Sequence, residues 1–409
     1  FDIDYTSPRP VLNNIHPLLE SELDRKHLLR LEGLVPETVF VDCLKDQKLP
    51  KEKVLIPGKT RIFSISPVDY TIQFRQYFLD FLVSMQNARL DCEHAIGINK
   101  DSLEWTQLAK LLLDLSPCIV TGDYSKFGPT LMHKVVMGCF DIILEWFKKF
   151  EPSYLENIRI RQSLIEECTH SKHLMLDLIY RVFCGAPSGS PITTILNTMV
   201  NSVYIRCVWA YMCDPVNGMF PKFEGRILGM SDFRKLVRLV SYGDDIIMSV
   251  VKFLVEYFNA KTIGSVLKNY EVVFTDSSKG VDILPYASLT DPRTTFLKST
   301  FVHHPTRYGV WIHQLDRRAV QEISNWIMHS RTPKEMSIQV CCATLQSIWG
   351  FGKVEYDSLR GKILEYWGAR GDFVSLPTWE EEEYRMFGDG EEVVPLKYAS
   401  VLRKLPLKN

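Results

Sequence analysis

Two carboxylates stand side by side in Tyr242-Gly243-Asp244-Asp245, between the apolar runs Leu236–Val240 and Ile246–Val251. Both runs have strand length and β-branched content, and a Gly-Asp pair between them signals a tight turn. The segment therefore predicts a β-hairpin with acids at its tip. Neighbouring carboxylates on a buried hairpin repel each other and cost stability unless a cation sits there. A lone Asp-Asp would read as an acidic surface turn; the core-like flanks argue against that here. Asp123 ends a second predicted strand, Cys118–Asp123, and strand adjacency alone would bring it to face Asp244. Carboxylates so grouped bind hard divalent cations through oxygen. A pair of such ions about 3.5–4 Å apart activates an attacking oxygen and neutralises a leaving pyrophosphate. Phosphoryl transfer needs little else but positioning and charge. Complementary cations are available: Lys59 and Arg61 for a triphosphate, Lys45, Lys48 and Lys53 in the same basic stretch, and Lys279 to protonate the pyrophosphate.

A polar stripe adds specificity. After the glycine-rich turn Gly185–Pro191, Ser190 as cap and Pro191 at the first position predict a helix from Pro191 to about Tyr211. Thr193, Asn197 and Asn201 recur every four residues and share one face, while Ile192, Ile195, Leu196, Met199 and Val203 account for burial elsewhere. Polar groups on a core helix must find partners. Either these cap neighbouring backbone, or Ser188, Thr193 and Asn197 read a ribose hydroxyl, with Gly189 allowing close approach of a template strand.

Several elements must position these residues. Helices are expected at Ser21–Arg30, Pro67–Met85 (Tyr70, Phe74, Tyr77, Phe78, Phe81 and Leu82 at helical spacing), Ser102–Leu115 (stopped by Pro117), most of 131–170, and Val255–Asn269. Strands are expected at Leu174–Cys184, Glu271–Phe274 and Thr295–Phe301, with helical structure beyond Pro305. The basic stretch 45–61 sets six cations against two acids and reads as extended and turn structure, where side chains can converge on phosphates. Gly58-Lys59-Thr60 is not the end of a phosphate-binding loop, because Lys53 stands where such a loop needs glycine. Cys168-Thr-His170-Ser-Lys-His173 offers three soft ligands with no second cluster, and reads as surface rather than a metal site.

Composition bounds the answer. With 409 residues, 46% of them apolar and 11% aromatic, the chain is a folded protein of two or three subdomains, not a disordered one. The 48 basic residues balance 49 acidic ones, so a nucleic-acid site must be a local lining, not a polycationic whole. Ten scattered cysteines without a CxxC pair suit reduced thiols in a cytosolic compartment. No run approaches the roughly 18 apolar residues of a membrane span. A start at Phe1 marks a processed product or a fragment.

In their order, the motifs resemble the RNA-dependent RNA polymerases of positive-strand RNA viruses, nearest the picorna-like group and its insect-virus branches. The resemblance rests on Lys59-Thr60-Arg61 (motif F), Gly122–Phe127 (A), Pro187-Ser188-Gly189-Ser190-Pro191-Ile192-Thr193 through Asn197 (B), Tyr242–Asp245 (C), Lys279 (D) and Phe296-Leu297-Lys298-Ser299 (E), over about residues 45–300. It implies an α+β right-hand fold. Fingers would be 1–115 (N-terminally incomplete) and 136–185; the palm, an antiparallel sheet plus helices, 116–135 and 186–300; a helical thumb, 301–409. It further implies two Mg²⁺ or Mn²⁺ ions on Asp123 and Asp244 with Asp245 in support. Lys59 and Arg61 would line the NTP channel, Ser188, Thr193 and Asn197 would recognise the ribose, and Lys279 would be the general acid. Lys45, Lys48, Lys53, Gly189 and Lys298 would contact RNA. Implied partners are template and primer or product RNA, NTPs, a protein primer and other viral replication proteins, at membrane-associated replication complexes in the host cytoplasm.

Two departures stand out. Many relatives carry a second Asp five residues after the first, helping to hold the ribose; here that position is Gly128. The upstream index-finger segment would also need more residues than precede Lys45, so the chain reads as N-terminally truncated. Two alternatives are weaker. A reverse transcriptase would share Tyr-x-Asp-Asp but lack the Ser-Gly-x3-Thr-x3-Asn helix. A non-catalytic RNA-binding or replication-scaffold protein would be expected to have lost a carboxylate or Lys59 and Arg61.

Overall fold

The computed structural model describes residues 2–4, 11–46, 49, 51–223, 225–278, 282–327 and 330–388. The chain forms two compact units: Phe1–Ala88, Lys126–Tyr204 and Tyr242–Asp244 in the first, and Arg89–Ser125, Ile205–Ser241 and Asp245–Asn409 in the second. The first opens with β1 (Asp2–Asp4), β2 (Val11–Asn14), α1 (Pro17–Leu31), β3 (Val39–Leu44), α2 (Lys51–Val54), β4 (Ile62–Ile65) and α3 (Val68–Asn87). The second begins with α4 (Leu103–Leu113) and β5 (Ile119–Tyr124). The chain returns to the first for α5 (His133–Phe150), α6 (Tyr154–Thr169), β6 (Lys172–Met175), β7 (Leu178–Arg181) and the start of α7 (Thr193–Cys213). There follow α8 (Phe233–Leu236), β8 (Val237–Tyr242), β9 (Asp245–Val250), α9 (Ala260–Lys268), β10 (Phe274–Thr275), β11 (Ser299–His303), β12 (Trp311–Leu315), α10 (Arg317–Ile323), α11 (Pro333–Ile348), α12 (Lys353–Gly368) and α13 (Trp379–Phe387).

In the first unit the sheet runs β4-β3-β6-β7, with β3 and β6 parallel and the outer pairs antiparallel. The aromatic residues of α3 recur at helical spacing and are buried: Tyr70, Phe74, Phe78 and Phe81. Phe74 stacks on Phe78 at 4.3 Å, and Phe78 meets the edge of Phe147 from α5. The side chain of Arg30 on α1 makes two 2.7 Å bonds to Glu167 on α6, both groups fully buried. A buried pair of this kind is tolerated because its geometry is bidentate and its charges are hydrogen-bonded.

The second unit is built on a sheet of order β10-β5-β9-β8. Ile119, Val120, Leu239, Val240, Ile246, Ile247 and Met248 are all buried, so both faces of the central strands are covered. Residues 93–95 lie along β8: Ser241 N–H donates to Glu93 C=O and Ala95 N–H to Ser241 C=O, which closes that edge. Further along, Trp105 of α4 stacks on Phe301 of β11 at 4.4 Å. The C-terminal helices pack around Leu345, Trp349, Tyr356, Leu376, Trp379 and Phe387, with Trp349 and Trp379 stacked at 4.9 Å.

Several sequence expectations need correction. Leu174–Cys184 is not one strand: Leu176 takes φ 57° and, with Asp177, turns β6 back on β7. The expected helix from Val255 starts only at Ala260, because the Asn259 side chain caps Lys261 and Thr262 N–H. α7 starts at Thr193, two residues after Pro191. Of Glu271–Phe274 only Phe274 is strand, in β10. Thr295–Phe301 contains a turn before β11, and β12 is a strand where helix was expected. Cys168 and His173 are buried, not surface. All ten cysteines are free thiols.

Candidate active site

Gly243 and Asp244 form the two-residue turn between β8 and β9, with Gly243 at φ 63°, a left-handed conformation that favours glycine. Antiparallel pairing of β5 and β9 ends at Gly122 opposite Ile246, so the next step sets Asp123 alongside Asp245. On the other side β10 pairs Thr275 with Asp123. Gly122 permits this closeness: a Cβ there would stand 2.1 Å from Phe274 Cζ and 2.6 Å from Ile246 Cγ2. Asp123 and Asp245 are half-buried, and Asp244 is exposed.

Asp245 already holds something. Its Oδ2 accepts the Leu297 N–H at 2.6 Å. Leu297 and Lys298 have φ of 52° and 59°, and reciprocal backbone bonds between Phe296 and Ser299 close the turn, in the hand of a type I′ turn. Neither central residue is glycine, so the conformation needs external support. Lys100 supplies more of it, its ammonium donating to Leu297 C=O (3.2 Å) and Ser299 Oγ (3.1 Å). Burial pulls the Lys100 ammonium below the ordinary lysine range; Asp101 and Asp245 pull the other way. Lys298 points from this turn as an exposed cation.

α7 grips the carboxylate turn by its backbone. Thr198 Oγ1 accepts the Gly243 N–H at 2.7 Å and donates to Thr194 C=O, while Asn201 Nδ2 donates to Gly243 C=O at 3.0 Å. Both side chains are buried. Sequence reasoning put Asn201 on the polar face, with backbone capping as one of the two readings, and missed Thr198. The signal was there: residues three apart on a helix are surface neighbours.

The remaining polar residues divide. Thr193 Oγ1 donates to the carbonyls of Pro187 and Ser190, the backbone-capping alternative. Ser188 Oγ accepts the Ser64 N–H at 3.0 Å. The close approach that Gly189 permits is made by Ser64, whose carbonyl oxygen would stand 2.0 Å from a Cβ at Gly189. Asn197 Oδ1 is buried with no hydrogen-bond partner among the described residues. A Cβ on Gly128 would meet nothing within 4 Å.

Among the basic residues, Lys45, Lys59 and Arg61 are exposed, and the Lys45 N–H donates to Arg61 C=O at 2.8 Å, setting these two side by side one step beyond the Leu44–Ile62 pair of β3 and β4. Lys53 lies in α2, so this stretch is not wholly extended. Lys48 and Lys279 lie outside the described residues. Among the described residues no three His, Cys, Asp or Glu side chains group closely enough to hold a metal ion alone. The donor set still suits Mg²⁺, which is commonly held by one or two carboxylates together with substrate phosphates and water.

The viral RNA-dependent RNA polymerase family model matches residues 15–366. The genome polyprotein of Deformed wing virus is 42% identical over 381 residues, 92% of this chain and 13% of the polyprotein. The replicase polyprotein of Cricket paralysis virus is 33% identical over 339 residues, 81% of this chain and 18% of that polyprotein. This chain thus spans a small part of the relatives it matches. Among solved structures, the Sicinivirus 3Dpol RNA-dependent RNA polymerase superposes with a TM-score of 0.69 at 22% identity, covering 91% of this chain and 70% of that one. Its fold is that of a right-hand polymerase, and with most of its length under the family model the chain belongs to the viral RNA-dependent RNA polymerases.

Proposed function

We propose that this chain carries out template-directed RNA synthesis from NTPs by two-metal-ion nucleotidyl transfer, replicating a positive-strand RNA viral genome. The observation that carries the reading is the grip on Gly243: two buried side chains of α7 fix both backbone polar groups of the turn that presents Asp244. Preorganised charge is what phosphoryl transfer asks of a protein.

Asp123 and Asp244, with Asp245 in support, would hold two divalent ions, Mg²⁺ or Mn²⁺, which when bound activate the attacking hydroxyl and neutralise the departing pyrophosphate. Asp245, whose Oδ2 accepts the Leu297 N–H, would support them from beside Asp123. Lys59 and Arg61, exposed and unencumbered by burial, bring positive charge to the triphosphate. Asn197 offers its unpartnered Oδ1 to a ribose hydroxyl, with Ser188 as a second candidate contact. Thr193 gives its proton to two carbonyls of the turn, which leaves its oxygen only as an acceptor toward the sugar. Lys45, Lys48, Lys53, Gly189 and Lys298 would contact RNA, and Lys279 would protonate pyrophosphate. A protein primer, other viral replication proteins and a membrane-associated cytoplasmic complex belong to the same reading. Among the described residues no helix is long and apolar enough to cross a membrane.

The test is templated nucleotide incorporation with Mg²⁺ or Mn²⁺, comparing the chain with Asp244→Ala. Loss in the variant supports the reading. Incorporation that survives the substitution refutes the carboxylate assignment, and incorporation absent from both samples favours a non-catalytic scaffold or an N-terminally truncated polymerase.

A further inference from the structure

Each strand of the first unit's sheet places one polar side chain in a single row: the buried Ser64 on β4, Asp42 on β3 and His173 on β6, and the half-buried Tyr180 on β7. Asp42 Oδ1 accepts from the Ser64 hydroxyl at 2.6 Å and from His173 Nδ1 at 2.9 Å, and the Tyr180 hydroxyl donates to Oδ2. His173 Nε2 meets Ser171 Oγ at 2.8 Å. Burial would raise the Asp42 carboxyl, but hydrogen bonds from Ser64, Tyr180 and His173 outweigh it and hold the group below the usual carboxylate range. A Ser-His-Asp set suggests a nucleophile, and the geometry rules that out. Ser64 gives its proton directly to the carboxylate, His173 gives its own to the same oxygen, and all three are buried.

The row leads elsewhere. β4 is an edge strand, and the backbone of Ser64 turns both polar groups outward: the N–H to Ser188 Oγ, and the carbonyl against Gly189. The edge that would otherwise be an open ladder is where the Ser188–Gly189 turn docks. We propose that Asp42 and Ser64 are positioning residues for that turn: Asp42 fixes Ser64, and Ser64 carries Ser188 and Gly189 to their place. Neither side chain reaches substrate. The consequence for sugar selection rests on the reading of Ser188 as a ribose contact; the positioning itself does not.

Two readouts on the full chain separate these claims. In Ser64→Ala and Asp42→Asn, amide hydrogen exchange at Ser190 and Thr193, whose backbone bonds close the turn, should quicken about fivefold, the factor expected for one lost hydrogen bond, while α5 and α6 keep their rates. The same variants should lower the rNTP/dNTP preference in primer extension in the direction of Ser188→Ala, and Ser64→Ala added to Ser188→Ala should change it little. Ser64→Ala carries the test if Asp42→Asn fails to fold. Unchanged exchange at the turn overturns the proposal, as does faster exchange spread over the whole unit. Faster exchange at the turn with an unchanged sugar preference upholds the positioning and removes Ser188 from ribose reading.

Discussion

Thr198→Val isolates the grip of α7 on the carboxylate turn. Valine keeps the β-branched shape and nearly the same volume. What is lost is one oxygen, the acceptor for the Gly243 N–H at 2.7 Å, in a place where Gly243 is buried and water cannot substitute. A buried donor left unpaired costs about 1–3 kcal/mol. If that falls wholly on the conformation that aims Asp244, elongation slows by about 5- to 150-fold, since about 1.4 kcal/mol is a factor of ten. Single-nucleotide templated extension across a Mg²⁺ titration measures it, with a melting curve recorded beside it. Thr198→Ser, which restores the oxygen, should return most of the rate. A variant with lowered Tm but native kcat at every Mg²⁺ concentration would show that the turn is held by other means and refute the reasoning.

Two further outcomes follow from the same site. Asn197→Ala should lower the rNTP/dNTP incorporation ratio by about tenfold, because it removes the unpartnered acceptor offered to the ribose; an unchanged ratio in primer extension excludes Asn197 as the sugar reader. Asp245→Ala should weaken primer-template binding about five- to tenfold more than Asp245→Asn does, since asparagine can still accept from Leu297 N–H and keep the 296–299 turn. Equal affinities for the two variants, read by fluorescence anisotropy of a labelled duplex, would detach that turn from Asp245.

The carboxylate hairpin was legible because it obeys local rules: strand-length apolar runs joined by a Gly-Asp turn. So was the helical spacing of Tyr70, Phe74, Phe78 and Phe81, which survives almost unaltered in α3. Illegible was whatever depends on who pairs with whom. Leu176-Asp177 lacks glycine and reads as continuous strand, yet tertiary pairing of β6 with β7 forces Leu176 into the left-handed region. Leu297-Lys298 hides a turn in a β-like string for the same reason, and its supports, Asp245 and Lys100, are distant in sequence. Thr193 and Asn197 share a helical face, but only the structure separates the one that caps backbone from the one whose oxygen is left over. Nor could spacing reveal that Gly189 makes room for Ser64, a residue 125 positions earlier.

The leftover oxygen bears on how sugar is chosen without the usual second carboxylate. Gly128 leaves open space where relatives place an acid, so no side chain from that position reaches toward Asn197. A buried carbonyl oxygen without a partner is unfavourable by about 1–3 kcal/mol, and native structures keep few such groups. Retained in a binding site, that penalty is relieved only when a donor arrives. A ribose 2′-hydroxyl is such a donor; a deoxyribose has none and leaves the oxygen as it was. On the proposed reading of Asn197, the discrimination would come from a penalty already present before the nucleotide binds, and its ceiling would be the size of that penalty, about 5- to 150-fold. Restoring an acid by Gly128→Asp should then raise sugar preference only if the new carboxylate orients the Asn197 amide rather than merely adding charge. The Gly128→Asp, Asn197→Ala double variant decides between these: a gain in preference that persists without the amide would mean that charge alone selects the sugar.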